Sequence, residues 1–129
     1  MANRSADWFR QAEADLRHAR NAAEDGDHEW ACFAAQQGAE KAVKAAIQAL
    51  GGEPWGHSVV ILLGALDEKK SVPASLVDAG KRLDKHYIPT RYPNGFDAGA
   101  PTDYYTGPEA EAAIADATEI VEFCRGAMG

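Results

Sequence analysis

The stretch HEWACFAAQQGAEKAVKAAIQAL, His28 to Leu50, decides the fold. Phe33, Gln36, Glu40, Val43, Ile47 and Leu50 recur at alternating spacings of three and four, the pattern of a helix packed along a bundle seam. Gly51-Gly52 stops it. Two polar residues, Gln36 and Glu40, interrupt the seam. A carboxylate there is costly unless paired, so Glu40 requires a cation, either Lys44 one turn on or one from another helix. Gln37, Lys41 and Lys44 form a second polar line beside it. That line reads either as the lining of a ligand cleft or subunit interface, or as a half-exposed boundary. The boundary reading is preferred for Lys41 and Lys44, and Glu40 is left open.

Working outward, a first helix runs from about Ala6 to Asp25, capped by Ser5 or Asn3, with Trp8, Ala12, Leu16, Ala19 and Ala23 on one stripe. Gly26 ends it in a left-handed cap and Asp27 caps the next. After the turn EPWG, a short helix from about Ser58 to Leu66 is apolar nearly all round, and is expected to be the most buried. Pro73 opens a fourth segment that buries Leu76, Val77, Leu83 and Tyr87, and Pro89 and Pro93 forbid its continuation. A long loop reaches to about Tyr105. TGPE, Thr106 to Glu109, is a capping box that starts the last helix, with Ile114, Ala117, Val121 and Cys124 inward. No segment alternates with period two. The expectation is an all-α, antiparallel up-and-down bundle of four to five helices, one domain over residues 1–129.

No apolar run approaches a membrane span, and MANRSADWFR lacks an apolar signal region, which points to a cytoplasmic protein with no membrane contact. Cys32 and Cys124 match no metal or redox spacing and read as reduced, buried small hydrophobes. There is no HExxH, no histidine pair at metal spacing, no cysteine cluster, no GxSxG and no glycine-rich phosphate loop, so neither a metal site nor a cofactor is expected. His18 and His28 read as surface residues, and His57 as a cap for the third helix or the partner of a nearby acid.

Charge is unevenly placed. From Lys69 to Arg91 there are six cations (Lys69, Lys70, Lys81, Arg82, Lys85, Arg91) and two acids (Asp78, Asp84), a balance of +4 in a chain of −7, leaving −11 elsewhere. A local positive patch on an acidic protein attracts a phosphate while the remaining surface repels polyanions. That suits a small or pre-positioned anionic ligand, or an acidic partner. The competing reading is a solvated helix face with ordinary pairing, such as Lys81 with Asp84. Within KRLDKHYIPTRYPNGF, Lys81 to Phe96, the prolines leave Arg91 in a rigid corner. Tyr87, Tyr92, Tyr104 and Tyr105 either stack a base or pin the loop to the core, and the second reading is preferred.

WACFAAQQGAEKAVKA (Trp30 to Ala45), GHS (Gly56 to Ser58), LDKHYIPTRYP (Leu83 to Pro93) and DYYT (Asp103 to Thr106) together resemble the HEPN family, the higher eukaryotes and prokaryotes nucleotide-binding domains. The resemblance runs from Trp8 to Phe123 and rests on several motifs in order. It implies a homodimeric helical bundle, often encoded beside a minimal nucleotidyltransferase as a toxin–antitoxin pair. Many members are metal-independent ribonucleases, and others are non-catalytic nucleotide-binding or scaffolding forms.

The ribonuclease members carry an arginine followed, after four to six intervening residues, by a histidine. A histidine there moves the 2′-hydroxyl proton while the arginine clamps the phosphate. Here Arg91 holds the matching place, but the three histidine positions hold Phe96, Asp97 and Ala98. Arg82 and His86 have three residues between them, and the pairs Arg10/His18 and Arg20/His28 have seven. With that motif missing, the resemblance implies a nucleotide- or RNA-binding module without strong catalysis, a homodimer partnered by a minimal nucleotidyltransferase. Its ligand-binding candidates are Arg91, Arg82, Lys85, Tyr92, Glu40 and Lys44. The alternative is a ribonuclease toxin with a diverged site built from Arg91 and His86. Lys85 and Arg82 are expected to lower the His86 pKa.

Overall fold

The computed structural model describes residues 3–129. Six α-helices follow in order: α1 (Ser5–Glu24), α2 (His28–Ala49), α3 (Val59–Asp67), α4 (Ala74–Asp84), α5 (Pro101–Tyr104) and α6 (Gly107–Met128). A single 3-10 turn, Pro93–Gly95, lies between α4 and α5. Among the described residues there is no strand, as the absence of period-two alternation predicts.

Helix α2 is the central element, packing on α1, α6, α3, α4 and α5. Small residues permit this. Ala31, Ala35, Ala39, Ala42, Ala45 and Ala46 are buried around α2, and a Cβ on Gly38 would stand 3.2 Å from the Ala12 carbonyl oxygen on α1. The seam holds for Gln36, Glu40, Val43 and Ile47, which are buried, whereas Phe33 is half-buried and Leu50 exposed. The α1 stripe shifts slightly: Phe9 and Ala22 are buried with Ala12, Leu16 and Ala19, and Trp8 and Ala23 lie partly covered at its edge.

Caps separate into expected and unexpected. Thr106 and Glu109 form the capping box of α6, each side chain meeting the other's backbone N–H. Ser58 caps α3 by accepting from the Ile61 N–H. Gly26 turns the chain at φ +81°, but Asp27 occupies the α2 N-cap position without a side-chain hydrogen bond. Arg4, not Ser5 or Asn3, occupies the α1 N-cap position; Asn3 helps from one residue earlier by accepting the Ser5 N–H.

Three further expectations need correction. Helix α3 is apolar nearly all round, as expected, but only one face is covered: Val59, Leu62, Leu63 and Leu66 are buried while Ile61 faces solvent. Helix α4 ends at Asp84, so Tyr87 belongs to the turn that follows. The loop before α6 contains a short helix, Pro101–Tyr104, whose Asp103 accepts the Ala100 N–H; a proline here starts a helix, as one at a first helical position can.

Candidate functional site

Asp84 decides where the corner after α4 sits. It does not pair with Lys81. Its two oxygens accept the Ser58 hydroxyl at 2.8 Å, the Val59 N–H at 2.8 Å and the Val60 N–H at 3.1 Å. A carboxylate satisfying the free amides at the positive end of α3 fixes α4 against α3. The chain then coils through residues 85–92 in short turns, with the His86 N–H on the Leu83 carbonyl, the Tyr87 N–H on the Asp84 carbonyl and the Arg91 N–H on the Ile88 carbonyl. Buried Thr90 ties the coil by donating its hydroxyl to the His86 carbonyl at 2.7 Å.

This coil folds the Arg91 side chain back on itself. Nε and Nη2 both donate to the Tyr87 carbonyl, at 3.0 and 2.7 Å. The guanidinium carbon lies 4.3 Å from the Phe33 ring centroid, 4.9 Å from that of Tyr87 and 5.2 Å from that of Tyr92. Among the described residues no carboxylate pairs with it. Arg91 is therefore a full positive charge held in one place by a carbonyl and aromatic faces, able to meet an oxyanion through its remaining N–H groups.

The rings continue along the surface. Trp30 meets Phe33 edge-on with centroids 6.2 Å apart, Phe33 and Tyr87 are 6.2 Å apart, and the His57 imidazole stacks on Tyr87 at 5.1 Å and 17°. Trp30 and Tyr92 are about half exposed. The strip is thus a cation among contiguous aromatic rings, a surface on which planar bases can lie.

Beneath it lies the polar break in the α2 seam. Glu40, only 3% exposed, accepts from Lys44 Nζ at 3.1 Å and from Gln37 at 3.3 Å, and its Oε2 lies 3.3 Å from His57 Nδ1. Gln36, fully buried, donates to the His57 carbonyl at 3.0 Å. Lys44 lies over the Trp8 ring. Lys41 reaches across to Asp15 on α1. The partners that Glu40 required are thus Lys44 on its own helix and His57 from the α2–α3 connection.

The remaining sequence-predicted residues lie apart from this cluster. Arg82 is engaged by Asp116 of α6 through two bonds of 2.9 Å, a tie between α4 and α6. Lys85 is exposed and joins no ion pair among the described residues. His86 turns towards Tyr105, edge-on at 5.6 Å, with Nδ1 buried and without a partner. Its pKa is lowered, as expected, but burial is the main cause; Lys85 contributes least and Glu109 and Asp116 oppose it. Cys32 and Cys124 are buried free thiols, both pushed up to about 12 by burial. No cluster of metal-ligating side chains occurs among the described residues, and no helix is long and apolar enough to cross a membrane.

Fold and site together define a small helical-bundle domain with a fixed arginine in an aromatic surface. The chain belongs to the HEPN domain family, whose model matches residues 5–127. It is similar in structure to the protein TT1696 from Thermus thermophilus, with 48% identity and a TM-score of 0.94 over 98% of this chain and 99% of that one. ST0689, an archaeal HEPN homologue, is 41% identical with a TM-score of 0.84 over the whole of both chains. A HEPN domain protein from Thermotoga maritima is 38% identical with a TM-score of 0.77 over 93% of this chain and 95% of that one. No curated protein matches the sequence.

Proposed function

We propose that this HEPN domain binds a nucleotide or RNA through Arg91, acting as a homodimer beside a minimal nucleotidyltransferase in a toxin–antitoxin type pair. The observation that carries the binding reading is the Arg91 guanidinium, immobilised over Phe33, Tyr87 and Tyr92 and neutralised by no carboxylate among the described residues. Such a group receives phosphate with little ordering cost, and the half-exposed Tyr92 and Trp30 offer faces to bases. The partner and pairing parts of the reading come from the resemblance to the family.

Arg91→Ala is expected to weaken binding of a fluorescent single-stranded oligoribonucleotide by about tenfold to a hundredfold, since a charge-assisted bond contributes about 1.5–3 kcal/mol. Its unfolding midpoint should stay close to wild type, because the bonds lost end on a carbonyl near the surface. Unchanged affinity, measured by anisotropy at fixed low salt, would remove Arg91 from the site.

Dimerisation is supported by apolar surface beside the same corner, where Ile88 and Tyr92 are half exposed. Two copies meeting there would line one cleft with two guanidinium groups. Light scattering at tens of micromolar should give twice the 13.8 kDa chain mass; a monomer at that concentration contradicts the assembly.

A further inference from the structure

The turn after α2 leaves Trp55 79% exposed, more than any other large apolar side chain among the described residues. An exposed indole by itself calls for no explanation, but this one stands at the edge of an open hollow. With Trp8 of α1 it walls a space of about 580 Å³ between the start of α1 and the end of α2. Several hydrogen-bonding groups around that space are already engaged. Asn3 donates to the Gln48 carbonyl at 2.9 Å and accepts the Ser5 N–H at 2.8 Å. Arg4 donates to Asp7 at 3.1 Å. The Gly51 N–H meets the Gln48 carbonyl, the Gly52 N–H meets the Ile47 carbonyl, and Pro54 has no N–H. What remain in the walls are chiefly two indole faces and two negative groups. Glu53 is exposed and joins no ion pair among the described residues. Gln48 Oε1 is buried and accepts no hydrogen bond, so its negative partial charge is uncancelled. Trp8 already attracts one ammonium, since Lys44 Nζ lies 5.5 Å from its ring centroid, although Lys44 does not line the hollow. Trp55 carries no cation among the described residues.

Walls of this kind suit a cation that makes no hydrogen bonds. Ring faces and a carboxylate attract the charge, while methyl groups on the cation lie against the indoles. A primary ammonium or a guanidinium would bring several N–H donors, for which the hollow holds few acceptors. The charge of the chain agrees, at −7 overall and −11 outside Lys69 to Arg91. We infer that the hollow binds a quaternary ammonium group, with Trp55 as the main ring, Trp8 as the second and Glu53 as the counter-charge. None of these residues belongs to the Arg91 strip, so this site stands or falls apart from the nucleotide reading. The same trimethylammonium head occurs on small molecules such as choline and on methylated lysine side chains.

The test titrates the protein with three probes at constant ionic strength. They are choline, its uncharged counterpart in which a tert-butyl group replaces the trimethylammonium, and a short peptide carrying one trimethyllysine. Tryptophan emission and broadening of the probe's methyl NMR signal report binding. Choline should give a saturable change and bind about tenfold more tightly than the uncharged counterpart, which has its shape without its charge. Trp55→Ala should weaken choline binding by about tenfold or more, and Trp55→Phe by less, because the smaller ring keeps part of the attraction. Glu53→Gln should weaken it by about threefold at low salt and by less at high salt, as screening requires. Both side chains are exposed, so the variants should unfold at the wild-type midpoint. A peptide that binds at least about tenfold more tightly than choline, and than its unmethylated lysine form, assigns the site to a protein tail. A peptide no tighter than choline assigns it to a free small molecule. Equal binding of choline and its uncharged counterpart overturns the inference and leaves a merely apolar hollow. Choline binding that survives Trp55→Ala unchanged, or no saturable change with any probe at tens of millimolar, overturns it outright.

Discussion

Replacing Glu40 with alanine is expected to lower the unfolding free energy by about 3 kcal/mol, the lower end of the range for removing one partner of a buried ion pair. Glu40 is the acceptor on which Lys44, Gln37 and His57 converge. Alanine would leave the Lys44 ammonium, whose side chain is 11% exposed, without its counter-charge. It would also loosen Gln36, which has no access to water. The Trp8 face beneath Lys44 and the solvent beside His57 relieve part of the loss, hence the lower end. Glu40→Gln, which keeps the volume and one of the two acceptor oxygens, should lose about half as much. A double change of Glu40 and Lys44 to leucine should recover most of the stability, because matched apolar residues replace a buried pair at little net cost. Urea unfolding of the set decides it, and a loss below about 1 kcal/mol for Glu40→Ala would mean that water reaches the site.

Asp84→Ala is expected to cost about 2–3 kcal/mol. Three donors lose their acceptor at once, and one of them belongs to Val59, which is fully buried and cannot turn to water. Ser58 can still cap through Ile61, so α3 should fray rather than vanish. Amide hydrogen exchange should quicken at Val59 and Val60 well before it does in α2. If those amides keep their protection in the alanine variant, Asp84 is a surface acid of small effect. Because the same residue anchors the start of the coil that carries Tyr87 and Arg91, ligand affinity should fall in parallel with the local loosening.

Much of the bundle is legible in the sequence because helix-forming signals are local. The three-and-four spacing from Phe33 to Ile47, the Thr106–Glu109 capping box and the stop at Gly51-Gly52 need only neighbours within a turn or two. The site is less legible because its bonds join distant segments. Asp84, flanked by Lys81 and Lys85, looks like a helix-surface acid, yet its partners lie 24 to 26 residues earlier. His57 reads as a cap or the partner of an acid; the acid is Glu40, 17 residues before it, and no spacing rule connects them. Glu40 announces only that a partner must exist. The charge pattern around Lys69 to Arg91 conceals a difference that packing reveals: Arg82 is bound to Asp116, whereas Arg91 is held by a carbonyl and rings. A four-residue helix such as Pro101–Tyr104 is too short to show periodicity at all.

Phe33 and Glu40 stand seven residues apart on α2, two turns of one rigid rod. Arg91 rests on the first and His57 on the second. The helix is thereby a ruler, separating the two anchor points by about 10.5 Å along its axis. Rulers tolerate no change of graduation. Inserting or deleting one residue between Phe33 and Glu40 would swing one anchor about 100° around the axis relative to the other, since about 3.6 residues make a turn. The same edit between Pro93 and Ala100 would merely lengthen or shorten a loop that holds neither anchor. Natural variation in length should accumulate in that loop and be excluded from those two turns of α2.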